Sequence, residues 1–277
     1  MTTTALVLGG GGVTGIAWEL GILKGLADAG VDLSTADLVI GTSAGSVVGA
    51  QVTSGHSLDD LYAGQLEPPD TEIGAHLSRL TMLPLLPAML IPGSQQKKLA
   101  RIGKLAMRAH PPGGSDRIEV IRSRIDVEKW PDRDLRVTAV EAEDGDFTVF
   151  DKDSDVDIVL AVAASCAVPL VWPAVTIDGL HYVDGGMRST CNADLARGAD
   201  AVVVIAPLPQ AFSKATSIRS QLAATGASRT AVVTPDAEAL TAIGKNVLDP
   251  SKRADAARTG LRQSAEVVEK VRRAWNV

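Results

Sequence analysis

Gly41-Thr42-Ser43-Ala44-Gly45 follows the apolar run Leu38-Val39-Ile40 and precedes a helix-like stretch, Ser46 to Val52. A serine with glycine two residues to either side matches the G-x-S-x-G nucleophile elbow. A strand that turns at once into a helix forces the central residue into strained backbone. The flanking glycines leave room for the neighbouring chain, and the serine oxygen stands at a helix N-terminus, where negative charge is favoured. The elbow comes early in the chain and is itself preceded by a glycine run, Gly9 to Gly12.

Working outward, Ala5-Leu6-Val7-Leu8 reads as a buried strand of the parallel kind, and Ile16, Leu20, Leu23 and Ala27 recur at helical spacing up to Gly30. Strand, glycine loop, helix, strand, elbow, helix is a β-α-β-α order, which predicts an α/β fold with parallel strands and right-handed crossovers. Further strands are expected at Arg136–Glu141, Phe147–Phe150, Val175–Ile177, Leu180–Val183, Ala201–Ala206 and, more weakly, Ala231–Val233. Helices are expected at Arg117–Ile125, Asp155–Ala167 and Ser251–Trp275. Asp178-Gly179 and Asp144-Gly145 read as turns between strands. The 277 residues fit one domain: a motif-bearing core over residues 5–207, an irregular cap over about 56–114, and a helical extension over about 208–277.

Composition narrows the function. With 45% hydrophobic residues the chain can bury a sizeable core. A net charge of −6 and 3% aromatic residues argue against nucleic acid as a partner. Cys166 and Cys191 form neither a disulfide framework nor a zinc pattern, so no metal and no cofactor are expected, and a reducing, cytoplasmic setting fits. Met1-Thr2-Thr3-Thr4 lacks a basic leader region. The uncharged run Ile158–Ile177 is about long enough to span a bilayer, but Pro169 and Pro173 break it; it reads as a buried helix followed by extended chain.

Three constellations carry chemistry. Gly10-Gly11-Gly12-Val13-Thr14-Gly15 satisfies the dinucleotide-binding G-x-G-x-x-G spacing, yet the second strand ends at Ile40-Gly41-Thr42-Ser43 without the ribose-binding carboxylate, Asp32 and Asp37 lying before it. The same glycines can serve as an oxyanion hole, since loops after adjacent parallel strands open on one edge. Ser43 then needs a base. The four histidines are His56, His76, His110 and His181, and none follows Asp184. That argues against a Ser-His-Asp order of the α/β-hydrolase kind. Asp184, ending a predicted strand and followed by Gly185 and Gly186, is the best remaining base. Met82–Ile91 is apolar and broken by prolines, with Lys97, Lys98, Arg101, Lys104 and Arg108 behind it. A lipid-touching lid is one reading; ordinary packing of a cap with a solvated basic face is the favoured one.

Glycine loop, G-x-S-x-G elbow and Asp184-Gly185-Gly186, in that order, resemble the patatin-like phospholipase family, as does Ala163-Ala164-Ser165-Cys166-Ala167-Val168-Pro169 with Pro173 and the following hairpin. The resemblance covers roughly Ala5 to Pro207. It implies a three-layer α/β/α fold and hydrolysis of acyl esters of lipids by a Ser-Asp dyad. Ser43 would be the nucleophile and Asp184 the base, with Gly10, Gly11 and Gly12 lining the oxyanion hole, Gly41 and Gly45 framing the elbow, and Thr14, Gly15, Gly185 and Gly186 in support. The implied partner is an acyl-ester or phospholipid substrate, with peripheral membrane contact and an open oligomeric state. Where the family carries Arg or Lys before the last loop glycine, this chain has Thr14, which supplies only a hydroxyl or a cap for the following helix. Two competing expectations are a dinucleotide-binding protein using Gly10–Gly15 and a catalytically weak lipid-binding relative.

Overall fold

The computed structural model describes residues 3–68, 83–109, 111, 114–211 and 213–275, the side chains of 114–116 excepted. Among the described residues eight strands form one sheet: β1 (Thr4–Leu8), β2 (Leu38–Gly41), β3 (Asp134–Glu141), β4 (Phe147–Phe150), β5 (Val175–Ile177), β6 (Leu180–Asp184), β7 (Ala201–Ile205) and β8 (Arg229–Val233), in the order β5-β6-β3-β2-β1-β7-β8, with β4 also on β3. From β3 to β8 the pairing is parallel; β4, β5 and β6 are antiparallel additions. Among the described residues the helices are α1 (Gly12–Asp28), α2 (Ala44–Thr53), α3 (Leu58–Leu66), α4 (Leu85–Leu90), α5 (Gln95–Arg108), α6 (Gly114–Ile125), α7 (Ile158–Ser165), α8 (Ile218–Thr225), α9 (Ala237–Ile243) and α10 (Arg253–Trp275).

Alternation along the strands sends side chains to two cores. Leu6, Leu8, Val39, Leu135, Val137, Val203 and Ile205 join the large core with residues of α1, α2, α7 and α10. Ala5, Val7, Ile40, Val202 and Val204 face the other way, onto Cys191, Ala193, Ala196, Ile218 and Leu222. Both sheet faces are thus covered, which gives the expected three-layer α/β/α architecture and explains why the central strands read as unbroken apolar runs. Asp178 (φ 50°) and Gly179 (φ 82°) make the tight turn of the β5–β6 hairpin, as expected of Asp-Gly.

Two boundaries differ from expectation for local reasons. The helix expected over Asp155–Ala167 is shorter at both ends, because the Asp157 side chain accepts from the Val159 and Leu160 N–H groups and caps it there. The region after residue 207 is more than a helical extension. It supplies β8, and α10 lies against α1 so closely that a Cβ at Gly260 would collide with the Trp18 carbonyl and one at Gly21 with the Ala257 carbonyl. Trp18 Nε1 donates to Gln263 Oε1 at 3.1 Å, locking the same pair. Among the described residues no helix is long and apolar enough to cross a membrane.

Because α1 leaves the glycine loop, the α1–α10 contact holds the loop's helix in place. Gly260→Leu should destabilise the protein by about 2–3 kcal/mol or more, through overpacking of backbone against backbone. Urea unfolding beside the exposed control Arg258→Ala, expected within ~0.5 kcal/mol of the parent, is the check.

Candidate active site

Sheet register brings the candidate residues together. On one edge β3 pairs with β4 over Val137–Val140. Its other edge must therefore hold both β2, parallel, and β6, antiparallel. β2 ends with Gly41 opposite Val137, and β6 ends with Asp184 opposite Ala139. Two strands running towards each other stop head-on, two residues apart on β3, roughly 7 Å along the strand. The elbow leaves one end and Asp184 closes the other. On the far side of β2, Leu8 of β1 lies opposite Gly41, so the glycine loop starts level with the elbow.

Ser43 has φ 52° and ψ −116°, a conformation open to few side chains. Its backbone is held from several sides. The Ser43 N–H donates to Ser165 Oγ at 2.9 Å, while its carbonyl accepts from Ser46 Oγ at 2.6 Å and from Cys166 Sγ at 3.4 Å. Gly45 permits the turn because its Cα passes against the Leu8 carbonyl, and its N–H donates to the Gly9 carbonyl at 3.0 Å. Ala167, next in the segment that grips Ser43, accepts from the Asp184 N–H at 3.0 Å. One short stretch after α7 thereby fixes both residues.

Asp184 is buried. Burial pushes its carboxyl up to about 6, opposed by the Ser43 hydroxyl and by the Gly186 N–H, which donates to Oδ1 at 2.7 Å. A base lifted towards neutral pH is better matched to taking an alcohol proton than an ordinary carboxylate. Cys166 is also buried, its thiol pushed up to about 11, which makes it an inert neighbour.

The loop divides its glycines. Gly10 faces Ser43, but its N–H already donates to the Thr190 carbonyl at 2.8 Å. It is therefore a tether rather than the donor expected from the sequence. Gly11 and Gly12, at the start of α1, have N–H groups without a partner among the described residues, as the first turn of a helix leaves them. Thr14 does not cap α1, whose cap position is Gly11; it lies inside the helix, and both its hydroxyl (3.3 Å) and its N–H (3.2 Å) donate to the Val247 carbonyl. Gly15 packs beside Pro207. Gly185 backs onto Thr138, and its carbonyl accepts from Asn192 Nδ2 at 3.3 Å.

Asn192 is a residue the sequence did not disclose. Fully buried and left-handed (φ 51°), it also donates to Thr42 Oγ1 at 3.1 Å, Thr138 Oγ1 at 3.3 Å and the Ser189 carbonyl at 3.0 Å. One amide ties the elbow, β3 and the Asp184 turn together. No spacing announces it; a single Asn in a loop reads as a turn residue.

The competing roles fall elsewhere. Asp32 caps a short turn through the Ser34 N–H, and Asp37 accepts from Thr4 N and Oγ1, both ahead of β2. His181 pairs with Glu143 at 2.6 Å, and His56 meets the Asp126 carbonyl at 3.1 Å; His76 and His110 lie outside the described residues. Among the described residues no cluster could hold a metal ion. Of the apolar segment, Met82 lies outside the described residues, Leu85 and Ala88 are buried against Ile102, and Leu83, Leu86, Leu90 and Ile91 are exposed. Packing accounts for Leu85 and Ala88, with the partly buried Met89 beside them.

Glu19, in α1 beneath the loop, is fully buried, and neither carboxyl oxygen has a partner among the described residues. Burial lifts its carboxyl well above the usual range; the one group favouring its charge is the Gly9 N–H, which already donates to the Ile205 carbonyl. A raised native value means the folded state holds the proton more tightly than the unfolded chain. Its contribution to stability is full below the usual carboxylate value and is lost as pH rises through the native one. Glu19→Gln should therefore gain on the parent by about 1–3 kcal/mol between pH 5 and pH 8 in urea unfolding. Parallel stabilities at both pH values would contradict a buried acid here.

The patatin-like phospholipase family matches residues 6–197 of the chain. No curated protein matches it in sequence. Among solved structures, VipD from Legionella pneumophila is similar at 13% identity and a TM-score of 0.47, over 97% of this chain and 67% of that one. ExoU, in its complex with SpcU from Pseudomonas aeruginosa, is similar at 15% identity and a TM-score of 0.42, over 100% of this chain and 53% of that one. The chain thus spans about two thirds of the first and about half of the second.

Proposed function

Since the chain belongs to the patatin-like phospholipase family, a lipid hydrolase fold with the Ser43 elbow, we propose that it cleaves acyl esters through a Ser43–Asp184 dyad. The observation that carries this reading is the head-on meeting of β2 and β6 on β3, which sets the strained Ser43 against a buried carboxylate. Asp184 takes the hydroxyl proton as Ser43 Oγ bonds to the ester carbonyl carbon. The carbonyl oxygen becomes an oxyanion, met by the Gly11 and Gly12 N–H groups, while Gly10 tethers the loop. Collapse breaks the ester C–O bond, and Asp184 returns the proton to the departing alcohol. Water then attacks the acyl-serine, Asp184 takes its proton, and the acid leaves with Ser43 restored.

Such donors are worth roughly 3–4 kcal/mol each in enzymes where one has been removed. They act here beside a cavity of about 200 Å³ whose walls include Val13, Ile16, Trp172 and Leu248. That apolar lining suits an acyl chain and strengthens charge interactions by excluding water.

With p-nitrophenyl butyrate as substrate, Ser43→Ala and Asp184→Asn should each lower kcat/KM at least ~10³-fold. Retained turnover in the Asp184→Asn protein would remove the dyad. Because the base works ionised, kcat/KM of the parent should fall tenfold per pH unit below about 6 and level off above it. An acid limb near pH 4 would contradict a buried Asp184.

A further inference from the structure

The cavity beside Ser43 is small. Its volume of about 200 Å³ lies below the ~300–1,000 Å³ of pockets that enclose most of a ligand, so a long acyl chain must continue beyond it. Two further cavities share walls with it. The one past Val13 and Ile16 is lined also by Gln51, His56, Asp60 and Asp126, groups that a hydrocarbon chain would strip of water. The other, of about 310 Å³, shares Met187 with it and has Met89, Leu99 and Ile102 among its walls. Hydrocarbon is better accommodated on that side.

Met187 stands where one side chain can divide the two spaces. It ends the tight turn Gly185–Met187, which begins directly after Asp184, and Gly186 of that turn donates to the Asp184 carboxylate. The backbone just after it is pinned as well. The Arg188 N–H donates to the Gly185 carbonyl at 3.1 Å, and the Arg188 carbonyl accepts from Gln95 Nε2 of α5 at 3.0 Å. The Arg188 guanidinium pairs with Asp194 at 2.6 Å and lies over the Phe147 ring. The Met187 side chain itself is half-buried and packs against two small cores, one holding Leu99 and Val183, the other Leu85 and Ile102. An unbranched thioether with three rotatable bonds adapts to whatever fills such a gap. Fixed backbone and adaptable side chain together make a gate.

Resting on the Ser43–Asp184 reading, we infer that Met187 sets the acyl-chain length this protein accepts. It is the wall between the two cavities, and by swinging aside it lets a long chain run from Ser43 into the space walled by α4 and α5. The acyl carbonyl stays at Ser43, the first carbons fill the small cavity, and the distal methylenes pack on Met89, Leu99 and Ile102. Each methylene so buried favours binding about fourfold.

Two esters that differ only in chain length test it: p-nitrophenyl butyrate and p-nitrophenyl decanoate, both kept below micelle formation. The parent should favour the decanoate at least ~10-fold in kcat/KM. Met187→Ala should raise that ratio at least ~5-fold, and Met187→Phe, with a stiff ring in the gap, should lower it at least ~10-fold. Ala215 is exposed and lines the second cavity but not the first, so Ala215→Trp should lower the ratio likewise. A parent ratio near unity, or one unmoved in both Met187→Phe and Ala215→Trp, would overturn the assignment. Equal losses on both esters, the mark of a purely structural role, leave the ratio unmoved and count against it.

Binding of the product acids separates this claim from the chemistry. In calorimetry the parent should bind decanoate at least ~10-fold more tightly than butyrate, and Ala215→Trp should lose most of that difference. Equal affinities, or a difference untouched by that variant, would contradict passage beyond Met187. Absence of turnover on both esters would instead remove the hydrolase reading, while the calorimetric comparison would still decide this one.

Discussion

The arrangement depends on how one edge of one strand is shared. β3 gives half of that edge to β2 and half to β6, which approach from opposite directions and stop two residues apart. A parallel strand delivers an elbow at its C-terminal end, and an antiparallel strand delivers a carboxylate two residues further along β3. Neither residue needs a long or flexible connection to meet the other. The cost is an interrupted edge whose buried polar groups must find partners, since each one left unpaired costs about 1–3 kcal/mol. Asn192, Thr42 and Thr138 fill that gap with mutual hydrogen bonds.

Strain at Ser43 follows from the same constraint. The elbow must reverse between the end of β2 and the start of α2, and one residue absorbs the turn with a positive φ. That conformation persists because Ser165, Ser46 and Cys166 bind the serine's peptide groups on both sides. The loop opposite is held with comparable care: Gly9 by Ile205, Gly10 by Thr190, and Thr14 by Val247. Between these anchors the Gly11, Gly12 and Val13 N–H groups have no partner among the described residues. Preorganisation here means that neighbouring donors are already occupied.

Much of this was legible in the sequence, for identifiable reasons. Apolar runs at β1, β2 and β7 announce buried parallel strands because both faces of the sheet are covered. Gly41-Thr42-Ser43-Ala44-Gly45 announces its turn because only glycine tolerates the backbone contact behind it. Asp184 emerged by elimination of the histidines, and β6 does end on it. What stayed hidden is non-local. Gly10 looked like its neighbours until its partnership with Thr190, 180 residues away in sequence, removed its donor. Asn192 and Glu19 carry no spacing signal, and the place of α10 depends on a glycine-to-backbone contact no single helix reveals. Arg117 and Arg124, which line the cavity beside Ser43, likewise carry no spacing signal.

On the proposed reading, Ser43 is the one residue that this geometry makes nucleophilic. Reaction with an alkyl fluorophosphonate, followed by mass-spectrometric mapping of the adduct, tests it most directly. A single phosphonylated peptide carrying the label on Ser43 is expected, and none in the Ser43→Ala protein. A label on another residue, or an unlabelled Ser43 in the folded protein at pH 8, would contradict it.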